Sequence, residues 1–159
     1  LRMLHADTPN PKIHIEIPQK TSRLKIGEKV KVCVTPNHQS HYLLLNINLD
    51  AIYMLLPWLG NKTNVLKASE TNCSTVIEVA PPAGKELLIA LSILDSNVLS
   101  EYRFEFTEKN PFVVWKYDDD MKTSDGNALE FCRSLFFNIL SIPLQDWSIS
   151  YLSIEIVNS

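Results

Sequence analysis

Residues 40–61 read SHYLLLNINLDAIYMLLPWLGN, with Asp50 the one formally charged side chain among them. Such a run is a membrane span, a buried helix or a pair of strands, and each choice builds a different molecule. A span needs about 20 mostly apolar residues with few or no charges; here Asn46, Asn48, Asp50 and Pro57 interrupt it. One buried helix fails because Pro57 breaks it at its most apolar part and Asn46 to Asp50 has turn composition. Two short apolar runs, HYLLLNI and AIYMLLP, joined by NLD, meet every constraint. The stretch is therefore expected to be a β-hairpin.

Period-two alternation recurs on both sides of it. In KIHIEIP, Ile13, Ile15 and Ile17 share one face and Lys12, His14 and Glu16 the other. EKVKVCVTP places Val30, Val32 and Val34 inward and turns Lys29, Lys31 and Cys33 outward. STVIEVA and KELLIALSIL follow, separated by PPAG, whose prolines and glycine mark a turn. SEYRFEF (100–106) alternates again. DWSISYLSIEIV changes phase midway, from Trp147, Ile149 and Tyr151 to Leu152, Ile154 and Ile156, which a β-bulge near Tyr151 reconciles. Residues 59–70 and the segment NPFVVWKYDDDMKTSDG (110–126) read as loops, where binding usually resides.

One segment departs from this pattern. In SDGNALEFCRSLFFNIL (124–140), Ala128, Phe131, Cys132, Leu135, Phe136, Ile139 and Leu140 recur at helical spacing. Ser124 or Asp125 is the expected cap, with Pro143 just beyond the end. The segment predicts one amphipathic helix covering a sheet edge or barrel mouth.

The whole therefore predicts an all-β, Ig-like antiparallel sandwich of seven to nine strands with one late amphipathic helix. A chain of 159 residues, 45% apolar and 21% charged, suits a single domain that buries roughly 70% of its unfolded surface. With 4 glycines against 9 prolines, its connections are expected to be rigid. Net charge is −3, and the lysines are scattered; Lys25, Lys29 and Lys31 read as a solvated face, so no nucleic-acid partner is expected.

Three cysteines, Cys33, Cys73 and Cys132, none at C-x-x-C spacing, lean toward reduced thiols and a cytoplasmic setting. Two glycosylation-type triplets, Asn61-Lys62-Thr63 and Asn72-Cys73-Ser74, stand against it only if the chain passes through a eukaryotic secretory route, and such triplets are common by chance. The opening LRMLHADTPNP lacks a signal-peptide pattern; the chain is expected to be a domain of a longer protein or a mature product without its leader, periplasmic or secreted in the latter case.

LKIGEKVKV (24–32), HYLLLNINLDAIYMLLPW (41–58), APPAGKELLIALSI (80–93) and the closing WSISYLSIEIV (147–157) together resemble a bacterial domain-of-unknown-function family. That family sits C-terminal to caspase-like peptidases, protein kinases and other signalling modules, and also occurs in exported or lipid-anchored proteins. Leu49-Asp50 stands where the family has a glycine turn, and PWLGN replaces its proline-asparagine. The resemblance implies a sandwich accessory domain with a protein partner or a covalently linked peptidase or kinase domain, and it carries over no catalytic residue.

Local chemistry is sparse. Cysteine-histidine catalysis needs a thiolate beside an imidazole; Cys33 is near His38 and His41 in sequence, but on a strand it reads as a structural thiol. His38-x-x-His41 supplies two of the three or four ligands a metal needs. Asp118, Asp119, Asp120 and Asp125 depart from calcium-loop spacing and read as a solvated acidic loop. Neither a nucleophile elbow nor a phosphate cradle is present. No cofactor and no metal are expected.

Trp58 and Asn61 in PWLGN, and Trp115 beside the acidic loop, are the candidate contact residues. The function expected is a non-catalytic protein-interaction or sensing module, an accessory domain of a bacterial signalling, defence or effector protein. The alternatives are a secreted or envelope-associated binding module for glycans or cell-surface proteins, and a small hydrolase with an unrecognised site.

Overall fold

The computed structural model describes residues 11–58, 64–94, 99, 112–117 and 127–158. The hairpin forms as expected. Strands β5 (Ser40–Ile47) and β6 (Ala51–Leu56) pair antiparallel. Asn48 is the turn's organiser, its Oδ1 accepting the backbone N–H of Asp50 (2.9 Å) and of Ala51 (3.0 Å), as asparagine does in tight turns. The register shifts between Leu44 and Leu45, leaving Leu55 as the extra residue of a bulge.

The other described strands are β1 (Ile13–Glu16), β2 (Arg23–Lys25), β3 (Lys29–Val30), β4 (Cys33–Pro36), β7 (Val65–Leu66), β8 (Asn72–Cys73), β9 (Ile77–Glu78), β10 (Gly84–Ile93), β11 (Val113–Lys116) and β12 (Trp147–Val157). They form a central sheet in the order β11-β6-β5-β10-β12-β2, with β7 also on β5; a smaller sheet β1-β4-β8; and a ribbon β3-β9. Pairing is antiparallel except for β2, which runs parallel to β12. The architecture is all-β and sandwich-like, with more and shorter strands than expected, because EKVKVCVTP splits at Lys31-Val32 into β3 and β4.

Residues on the two faces of the central sheet enter different cores. Tyr42, Leu44, Leu88, Ala90, Ile154 and Ile156 pack against Ile13, Ile15, Val32 and Val34 of the smaller layer. Leu43, Leu45, Leu91 and Ile93 point the opposite way and pack with helix α1 (Ala128–Ile139). With both faces covered, the central strands need continuous apolar runs instead of alternation, which explains the composition of the opening stretch.

Three local expectations are corrected. The helix cap is Asn127, whose Oδ1 accepts from the backbone N–H of Leu129 (2.9 Å) and Glu130 (3.2 Å), in place of Ser124 or Asp125. The helix packs on the face of the central sheet that carries Leu43, Leu45 and Leu91 and reaches its edge strand β11, where Trp115 stacks on Phe131 with ring centroids 3.7 Å apart. No bulge interrupts β12, whose register with β10 runs unbroken from Ile156↔Gly84 to Trp147↔Ile93; the change of phase marks the strand's apolar side passing from the helix face to the sandwich face. Finally, both expected loops contain strands, β7 and β11. SEYRFEF lies outside the described residues.

Cys33 faces inward, 2% exposed, because it is bonded to its register partner Cys73 of β8 with Cα atoms 4.0 Å apart. The expectation of reduced thiols fails for this pair, whose members lie 40 residues apart in sequence. Cys132 remains free and half-buried, and burial raises its thiol pKa.

Candidate functional site

At the end of the sandwich that carries the β5–β6 turn, the interior opens into a cavity of about 290 Å³. Ile17, Leu24, Leu55, Leu88, Ile154 and Ile156 provide apolar walls, and the β3–β9 ribbon contributes Val30 and Ile77. Asn46, Asn48, Asp50 and Glu86 supply its polar mouth, and the Ala80-Pro81-Pro82 turn also lines it.

These polar groups follow from strand parity. Glu86 shares its face of β10 with Leu88 and Ala90, and Asn46 shares its face of β5 with Tyr42 and Leu44, because side chains two apart point the same way. The inner face is thus apolar where the smaller sheet covers it and polar where the cavity begins. Glu86 is half-buried, and its carboxyl pKa is raised by burial, while hydrogen bonding to the Asn48 side chain pulls it down. Asn48 therefore joins the turn to the mouth.

Of the expected contact residues, Trp58 and Trp115 pack against different cores. Trp115 is 6% exposed and belongs to the core under α1, where it stacks on Phe131. Trp58 is half-buried and packs against the inter-sheet core; its indole N–H has no hydrogen-bond partner among the described residues. Asn61 and the acidic run Asp118–Asp120 with Asp125 lie outside the described residues. Sequence reasoning missed Glu86, Asn46 and Asn48, although a carboxylate on the parity of Leu88 and Ala90 was a visible signal.

Other candidates are absorbed by the fold. Asn72 donates its side-chain N–H to the Tyr42 hydroxyl (2.7 Å), Cys73 is disulfide-bonded, and the Ser74 hydroxyl accepts from the Val32 N–H (3.1 Å). The triplet Asn72-Cys73-Ser74 thus has structural work, and the nitrogen a glycan would occupy is engaged. Tyr42 is fully buried, which pushes its hydroxyl pKa up to about 12. Disulfide formation removes Cys33 as a partner for His38 or His41. Among the described residues no three His, Cys, Asp or Glu side chains gather as a metal site, and no helix is long and apolar enough to cross a membrane.

A second surface stands out on α1. Its apolar arc is wider than the area the sheet covers: Phe131, Leu135 and Ile139 are buried, whereas Phe137 and Leu140 are 77% and 75% exposed. Phe136 is also exposed, so two residues expected on the covered side, Phe136 and Leu140, face solvent.

No family model matches this chain, and no curated protein matches it.

Proposed function

We propose that this chain is a non-catalytic sensing module, an accessory domain of a larger bacterial signalling, defence or effector protein, with the inter-sheet cavity as its receptor site. One observation carries the reading: the inward parity of the central sheet turns from Leu44 and Ala90 to Asn46 and Glu86 where the cavity opens. An apolar cavity with a few convergent polar groups at its mouth is the usual form of a small-molecule site. The linked peptidase, kinase or other signalling domain implied by the family resemblance is the partner that reads occupancy.

The test is a thermal-shift screen of chemically diverse small molecules against the wild type and Ile77→Trp, which fills the cavity from its half-buried rim. At least one compound class is expected to raise the wild-type melting temperature and leave Ile77→Trp unmoved. If every class acts equally on both proteins, the cavity is not the receptor.

A second reading, a secreted or envelope-associated binding module for glycans or cell-surface proteins, draws support from the Cys33–Cys73 disulfide, since disulfides persist in oxidising compartments. Thiol trapping of the chain in its native cells separates the two settings. A protected pair favours the envelope, and alkylation of both cysteines under native conditions rules that setting out.

A further inference from the structure

We propose that the cavity takes a primary aliphatic amine, with its hydrocarbon tail against Leu24, Leu55, Leu88 and Ile156 and its ammonium group at Glu86, an assignment that rests on reading the cavity as a receptor site. Among the described residues, the charged side chains lining the cavity are Asp50, Glu78 and Glu86, all acidic. The ion pairs among the described residues, His14 with Glu16 and Lys20 with Glu28, lie elsewhere. The mouth therefore carries negative charge that no described side chain pairs, and a cationic head complements it.

Burial argues for the same chemistry. A half-buried carboxylate has lost part of its hydration, and an incoming cation restores favourable interaction with its charged form. A primary ammonium carries three N–H donors, and the inner face supplies acceptors in the Glu86 carboxylate and the Asn46 side-chain carbonyl. The Asn48 oxygen is already engaged by two backbone N–H groups. A carboxylate head would meet like charge, and an alcohol would gain hydrogen bonds without charge complementarity. At about 30 Å³ per water-sized group, the 290 Å³ cavity holds a tail of roughly ten carbons.

Lys116 borders the site. The Lys116 ammonium of β11 lies 5.9 Å from the centroid of the Tyr53 ring, and Tyr53 lines the cavity. Lys116 opposes a second positive charge on that side, so the amine head belongs on the Glu86 side of the mouth.

Isothermal titration calorimetry with decylammonium, decanol and decanoate, each below its micelle concentration, tests the assignment. Decylammonium is expected to bind about tenfold more tightly than decanol, the advantage of one charge-assisted hydrogen bond, with decanoate weakest. Glu86→Gln should erase that advantage and leave decanol affinity unchanged; Asp50→Asn, on the exposed turn, should reduce it, and Lys116→Met should enlarge it. Ile77→Trp should abolish binding of all three. If decanol or decanoate matches the amine and Ile77→Trp still blocks them, the amine assignment is overturned and the receptor site stands. If none binds, the amine assignment falls and the thermal-shift screen alone decides the receptor site; if Ile77→Trp binds the amine like the wild type, both fall.

Discussion

The two faces of the central sheet are covered by different means. On one side the smaller sheet packs over Tyr42, Leu44 and Ala90 and is joined covalently across β4 and β8 by Cys33–Cys73. On the other a single helix covers Leu43, Leu45 and Leu91 by side-chain packing, centred on the Trp115–Phe131 stack. The first face grades into polar residues and a cavity, while the second stays apolar and leaves Phe137 and Leu140 in solvent. A carboxylate on an inward strand position is costly without compensation, so its presence marks the face where a ligand is expected. The exposed helix residues mark instead a cover narrower than the helix's own apolar arc.

The largest expected effect breaks the covalent side. Replacing both Cys33 and Cys73 by alanine opens a 40-residue loop, and chain-entropy arguments put the loss at about 4 kcal/mol. Chemical denaturation checks this, and the single free thiol of Cys132 should then be the one detected. On the helix side, Phe131→Ala removes the ring that stacks on Trp115 and is expected to cost about 3 kcal/mol. If the two covers are independent, the losses should add in the combined variant; strong non-additivity would mean that the sheet transmits strain between them.

Smaller effects sharpen the comparison. Tyr42→Phe leaves the Asn72 amide without its hydroxyl partner, an expected cost of about 1–2 kcal/mol, and it also changes the alkaline profile. The folded Tyr42 hydroxyl keeps its proton up to about pH 12, against an ordinary value of 10.0. The unfolded state therefore loses the proton first, and wild-type stability should fall as pH rises between those values. Tyr42→Phe should lack that decline. On the helix, Asn127→Ala removes the cap of two N–H groups and is expected to cost about 1 kcal/mol.

The smallest expected effect is at Glu86. Its pKa is raised in the folded state, so folding holds a proton that the unfolded chain releases, and stability should fall as pH rises through the carboxylate range. Glu86→Gln should flatten this part of the profile. Matched melting curves across mildly acidic pH provide the measurement, and an unchanged slope would place the carboxylate in a more hydrated setting than described.

Much of the architecture was legible locally. Asn48 and Pro57 separated hairpin from helix, the alternating isoleucines of β1 assigned its inner face, and the spacing of Phe131, Leu135 and Ile139 defined α1. The short strands β7 and β11 were not legible: two or four residues between polar or proline-containing segments carry too little period to distinguish a strand from a loop. The candidate site was hidden for another reason. Glu86 was not singled out, because the sequence does not say which face of β10 is covered, or where the cover ends. Trp115 looked like a loop anchor, and only its distant partner Phe131 placed it in a core.

By itself, then, the sequence determined the hairpin, the helix and the alternation of β1, since these depend on residues a few positions apart. The tertiary structure decided the partner of Cys33, the layer on each side of the central sheet and the enclosure of the space beside Glu86. The physical reason is range: side-chain direction repeats every two or every 3.6 residues and is written locally. Coverage depends on segments tens of residues away, as when β9 reaches back to β3 and closes the cavity's outer wall.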